Sequence, residues 1–89
     1  MPKPPARRTV AVIAQTKGLA EKLADQLGID RPHLIGARMA TALVGLRADR
    51  FLIDADAELD PRFMETVRYA TRKTPGSSVT FVTVRDARG

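Results

Sequence analysis

The 89-residue sequence predicts an α/β domain, a three-layer sandwich running β-α-β-α-β-α-β around four parallel strands. Three observations carry this. Short apolar runs at residues 10–14 and 51–53 have the composition of strands buried on both faces. Between such runs lie stretches of ten or more residues whose apolar positions recur every three or four, the period of a helix. Residues that cap helices or break the chain, among them Gly28, Pro32, Asp60, Pro61, Pro75 and Gly76, stand at the junctions.

Residues 1–8 hold three prolines and no apolar periodicity, and read as a flexible basic arm. Residues 9–85 read as the single domain and 86–89 as a tail. The first strand covers residues 9–14. Gln15, Thr16 and Lys17 form a loop before helix one, whose apolar stripe is Leu19, Leu23 and Leu27 with Ala20 and Ala24 alongside. Gly28 stops that helix, and Pro32 marks the break. Strand two is residues 33–36. A second helix is expected over residues 37–47, with Met39, Leu43 and Leu46 on one face. Strand three is residues 51–54. Asp60 as N-cap and Pro61 at the first position make the best helix start in the chain. Helix three turns Phe63, Met64, Val67 and Ala70 inward, and Pro75-Gly76 ends it. Residues 79–84 form strand four.

Composition narrows the chemistry. Aromatic residues make up only 4%, so the core rests on Ala, Val, Leu and Ile. The absence of Cys rules out a disulfide scaffold and a thiolate metal site, and fits a reducing, cytoplasmic compartment. No apolar run approaches the ~20 residues that span a bilayer. Arg outnumbers Lys eleven to four and Ala is frequent, as in a high-GC genome; an actinobacterium or its phage would suit. The net charge is +5, which invites a nucleic-acid reading. Lys3, Arg7 and Arg8 give the arm +3, and Arg85, Asp86 and Arg88 give the last five residues +1. Residues 9–84 therefore carry +1, so the excess sits at the ends.

In a parallel sheet, ligands bind beyond the carboxyl ends of the strands. The residues there are Gln15, Thr16, Lys17, Arg38, Asp54, Asp56 and Arg85. Lys17 with Arg38 offers an anion two cations near the start of helix one. Arg68, Arg72 and Lys73 offer a phosphate backbone three more, although their place in the last turn of helix three is also what the helix dipole favours.

The stretch GLRADRFLID, residues 45–54, resembles the surroundings of the Walker B strand in P-loop NTPases, helicase and terminase ATPases in particular. There an apolar strand ends in a magnesium-holding Asp; here Phe51, Leu52 and Ile53 lead into Asp54. The resemblance implies the strand order 1-4-3-2; a Rossmann-like order, 3-2-1-4, is the alternative. It also implies lost nucleotide machinery. A phosphate loop needs G-x-x-x-x-G-K-[ST], and the chain has only Gln15-Thr16-Lys17-Gly18 after strand one. Ala55 stands where a catalytic Glu often follows the Asp. The dinucleotide fingerprint G-x-G-x-x-G is absent from this turn too.

Other constellations are thinner. Asp54, Asp56, Glu58 and Glu65 fall at positions 1, 3, 5 and 12 of a calcium loop, but Leu59 occupies the position that demands glycine. A solvated loop and the Asp60 cap explain the same run, and no metal or other cofactor is expected. His33 is the only histidine and reads as a strand-end residue. The only serines, Ser77 and Ser78, precede strand four, at the end of the sheet opposite Asp54. No nucleophile, base and stabiliser come together.

The expected function is therefore a small non-enzymatic interaction module that binds itself or a partner protein. The alternative is a nucleic-acid accessory protein working through its basic termini and helix three. The first reading has a geometric root. Three crossover helices cannot evenly cover both faces of four strands, so one face keeps an apolar strip for a homodimer or another partner to cover.

Overall fold

Apolar strands that can satisfy their backbone only by pairing, joined by segments with one apolar face, collapse into a parallel sheet with cover on each side. The computed structural model, which describes residues 9–74 and 76–83, has this arrangement. The elements are β1 (Val10–Ala14), α1 (Lys17–Leu27), β2 (His33–Gly36), a single 3-10 turn (Ala40–Leu43), β3 (Arg50–Asp54), α2 (Pro61–Lys73) and β4 (Ser78–Val82). All four strands run parallel. Residues 1–8, including Lys3, Arg7 and Arg8, and residues 84–89, including Arg85, lie outside the described residues.

The sheet order is β2-β1-β3-β4. Both expected orders, 1-4-3-2 and 3-2-1-4, place β4 beside β1; the structure places β3 there, with β4 beyond it at the edge, where 3-2-1-4 also had it. Burial explains the difference. Residues 51–54 are buried and suit an interior strand, whereas four of the five β4 residues are exposed. The winding is that of a doubly wound fold: the chain moves outward from β1 to β2, then returns across β1 to β3 and on to β4.

In-register neighbours of a parallel sheet share a face, so the pairing sorts the core into two layers. On one face Val12 and Ala14 pack against Ala20, Leu23 and Ala24 of α1. On the other, Ala11, Ile13, Ile35, Phe51 and Ile53 pack against Phe63, Val67 and Ala70 of α2, with Leu43 and Ala48. The stripe expected on α1 is displaced. Leu23 is buried, but Leu19 and Leu27 are exposed, and the small Ala20 and Ala24 take the contact. Two alanines let the helix approach the sheet closely, which a Leu-only stripe would prevent.

The second helix expected over residues 37–47 is instead one 3-10 turn at Ala40–Leu43. Val44 is extended at φ −70° and ψ 120°, and Gly45 adopts φ 81°, so the backbone leaves helical geometry after a single turn. Met39 precedes the turn without a side-chain capping bond. The apolar spacing that suggested a helix still packs: Leu43 is buried, with Met39 and Leu46 against the same core. Two helices thus cover opposite faces, with the 3-10 turn on the α2 side.

Candidate functional site

The carboxyl ends of β1, β2 and β3 bring most of the expected crevice residues together. Thr16 caps α1, its Oγ1 accepting the Leu19 N–H at 3.1 Å. Gly36, at the end of β2, lies against that turn. A Cβ there would stand 2.9 Å from the Lys17 nitrogen and 3.2 Å from the Thr16 carbonyl carbon. An open hollow of ≈ 440 Å³ lies between the two loops, and Gln15, Thr16, Lys17, Ala37 and Arg38 are among its lining residues. Lys17 and Arg38 are brought together here, both exposed.

Gln15 joins the three loops. Its backbone carbonyl accepts the Ala37 N–H at 3.1 Å, and its Oε1 accepts the Glu58 N–H at 2.6 Å. The winding reverses between β1 and β3, where doubly wound folds open a ligand crevice. Here the Gln15 side chain spans that gap and ties the loop after β3 to the end of β1. The residue is a clasp across the crevice rather than a free polar group facing into it.

Asp54 is 7% exposed, the only buried charged residue among the described ones. Its Oδ1 accepts the Asp56 N–H at 2.9 Å, and its backbone carbonyl accepts the Ala57 N–H at 3.0 Å. The carboxylate thus builds the turn that leaves β3. Asp60 makes the next turn, its Oδ1 accepting the Arg62 N–H at 2.8 Å to cap α2. Among the described residues no group of three or more His, Asp or Glu side chains is gathered into a metal set, so the 1, 3, 5, 12 spacing does not become a cage. Register pairs Asp54 with Val82 and Arg50 with Ser78, so Ser78 lies four residues along the sheet, ~13 Å, from the level of Asp54.

Two further surfaces stand out. The first is the outer edge of β4, which pairs with no second strand among the described residues. The Ser78 N–H donates to the Asp49 carbonyl, and the Val82 carbonyl accepts from the Ala55 N–H. In a parallel strand, backbone groups alternate sides, so Ser78, Thr80 and Val82 bond β3 while Val79 and Phe81 direct theirs outward. Those same two residues are exposed, Val79 by 38% and Phe81 by 59%, although their in-register neighbours Phe51 and Ile53 are fully buried. The second surface is the outer side of α2, where Arg62, Arg68, Tyr69, Arg72 and Lys73 are all exposed. The sequence leads one to expect a bare apolar strip over strands such as residues 10–14 and 51–53; Ala11–Ala14 and Phe51–Ile53 are buried instead, and the exposed large apolar side chains of the sheet are Val79 and Phe81 of β4. Of the α2 group, Arg68, Arg72 and Lys73 were anticipated; Arg62 and Tyr69 were not, though helical spacing places Arg62, Tyr69 and Arg72 along one side. Among the described residues, no helix is long and apolar enough to cross a membrane. No family model, curated protein or solved structure matches the chain.

Proposed function

We propose that the chain is a small, non-enzymatic interaction module that pairs with a second copy of itself through the outer edge of β4. The observation that carries this is the coincidence at Val79 and Phe81 of outward backbone groups with exposed apolar side chains. Soluble proteins usually protect a sheet edge with Lys, Pro, a bulge or a covering segment. The β4 sequence SVTFV has neither charge nor proline. Its edge is also self-complementary. Two copies meeting antiparallel about a two-fold axis normal to the sheet would each supply N–H and C=O groups to the other. The same operation sets both copies of Val79 and Phe81 on one face of a continuous eight-stranded sheet, where they would cover one another.

The edge is only five residues long, small beside the ~1,600 Å² buried by a standard stable complex. Association should therefore rise with concentration rather than be permanent. Light scattering coupled to size exclusion should show the mass climbing from 9.7 kDa towards twice that value. Val79→Pro removes an outward donor without touching the β3 ladder, and Phe81→Lys places a charge on the edge. Both variants should stay monomeric with unchanged far-UV circular dichroism. A parent chain that is monomeric at millimolar concentration, or variants that associate as it does, would remove the basis of the reading. The same reading has the chain neither hydrolysing nor tightly binding ATP, and micromolar affinity by calorimetry with magnesium present would contradict it.

A further inference from the structure

We infer that the outer face of α2 binds single-stranded nucleic acid, with Tyr69 as a stacking platform between arginines. This is independent of the β4 edge. Taken by element, the charge of the domain is far from even. The thirteen residues of α2 carry four cations against Glu65, a net +3, while the rest of residues 9–84 nets −2. The helix dipole explains Arg72 and Lys73 in the last turn, but it opposes Arg62, which stands in the first turn at the positive end. Arg68 and Arg72, one turn apart, repel each other. A cationic stripe built against both local preferences suits an anionic ligand laid along the helix.

The stripe also contains an aromatic. Tyr69 is 55% exposed, and the Lys73 ammonium lies 4.8 Å from its ring centroid. Beside the ring is an open hollow of ≈ 620 Å³ lined by Val44, Arg62, Thr66, Arg68 and Arg72, with Glu65 its one carboxylate. A positively charged groove holding an exposed ring is how proteins bind single strands without reading sequence: cations track the phosphates, and an unpaired base stacks on the ring. From Arg62 to Arg72 the helix rises ~15 Å, long enough for its cations to meet more than one phosphate of a single strand. An acidic peptide would match the charge but has no use for the ring, and a duplex keeps its bases out of reach of it.

Fluorescence anisotropy of the full chain with a labelled twelve-residue oligothymidylate tests this. Binding should be salt-sensitive. In the double variant Arg68→Glu/Arg72→Glu, affinity should fall at least tenfold and the slope of log K against log salt should shrink by ~1.4. Tyr69→Ala should cost roughly tenfold with the salt slope unchanged, the mark of lost stacking rather than lost charge. Arg7→Glu/Arg8→Glu, in the arm, should cost less than the α2 pair. Four results would overturn the inference: no binding at 50 mM salt; α2 variants within twofold of the parent; displacement by poly-glutamate as effective as by unlabelled oligonucleotide; or a duplex bound as tightly with Tyr69→Ala neutral.

Discussion

Gly36 and Gly18 occupy the same corner of the molecule and should respond oppositely to the same change. At Gly36 the added methyl of alanine would meet backbone of the β1–α1 turn at 2.9 and 3.2 Å, and backbone cannot rotate out of the way as a side chain can. Gly36→Ala should therefore destabilise by ~1–3 kcal/mol, the usual range for overpacking. At Gly18, inside α1, the nearest atom is the Thr16 Oγ1 at 3.9 Å, ordinary contact. Gly18→Ala should stabilise by ~0.5–1 kcal/mol by lowering the entropy of the unfolded chain. Thermal melts followed by circular dichroism read both, and a neutral Gly36→Ala would mean that the turn and β2 are not packed together. At this scale the sequence was partly legible. Gln15, Thr16, Lys17, Arg38, Asp54 and Asp56 were placed at the strand ends by the apolar runs before them. What each does there was not readable. The clasp from Gln15 to Glu58 joins residues 43 apart in sequence, and only the strand order brings them together.

Only α2 announces its start in the sequence, through Asp60 and Pro61; α1 begins at Lys17, inside the expected loop, and the caps found on both helices give a prediction of magnitude. Thr16 and Asp60 each accept a backbone N–H that would otherwise lack a partner. Thr16→Ala and Asp60→Ala should each cost ~1 kcal/mol. In a domain of this size that corresponds to a fall in melting temperature of about 4–8 °C each. The caps sit on different helices and share no partner, so the double variant should lose the sum. A deficit well short of additive would show coupling through the loops between them. The second helix failed as an expectation for a reason the same scale supplies. Residues 37–47 have helical apolar spacing but no side chain that caps the start. Gly45 near the far end makes a left-handed exit cheap. Periodicity reported which residues face the core, and that part holds for Met39, Leu43 and Leu46. It did not report whether the backbone between them completes more than one turn.

For the whole molecule, the fold class followed from alternation of apolar runs and amphipathic segments, which is local information. Strand order is not local. The chain could reach β4 on either side of β1, and the deciding fact is how much of each strand is buried in the assembled sheet. Phe51, Leu52 and Ile53 are apolar throughout and take an interior place, whereas Ser78 and Thr80 alternate with Val79 and Phe81 and take the edge. That outcome moves the under-covered surface from a strip on the sheet face to an edge carrying both backbone groups and apolar side chains. In the paired form the two-fold axis also sets both α2 helices on one side of the joined sheet, so the basic face would double. The most direct measurement is amide hydrogen exchange at Val79 and Phe81, whose N–H groups point away from β3. Pairing predicts protection that grows with protein concentration, from near-free exchange when dilute to slow exchange at hundreds of micromolar. Exchange at these two amides that stays fast at every concentration, while Ser78 and Thr80 remain protected, would contradict it.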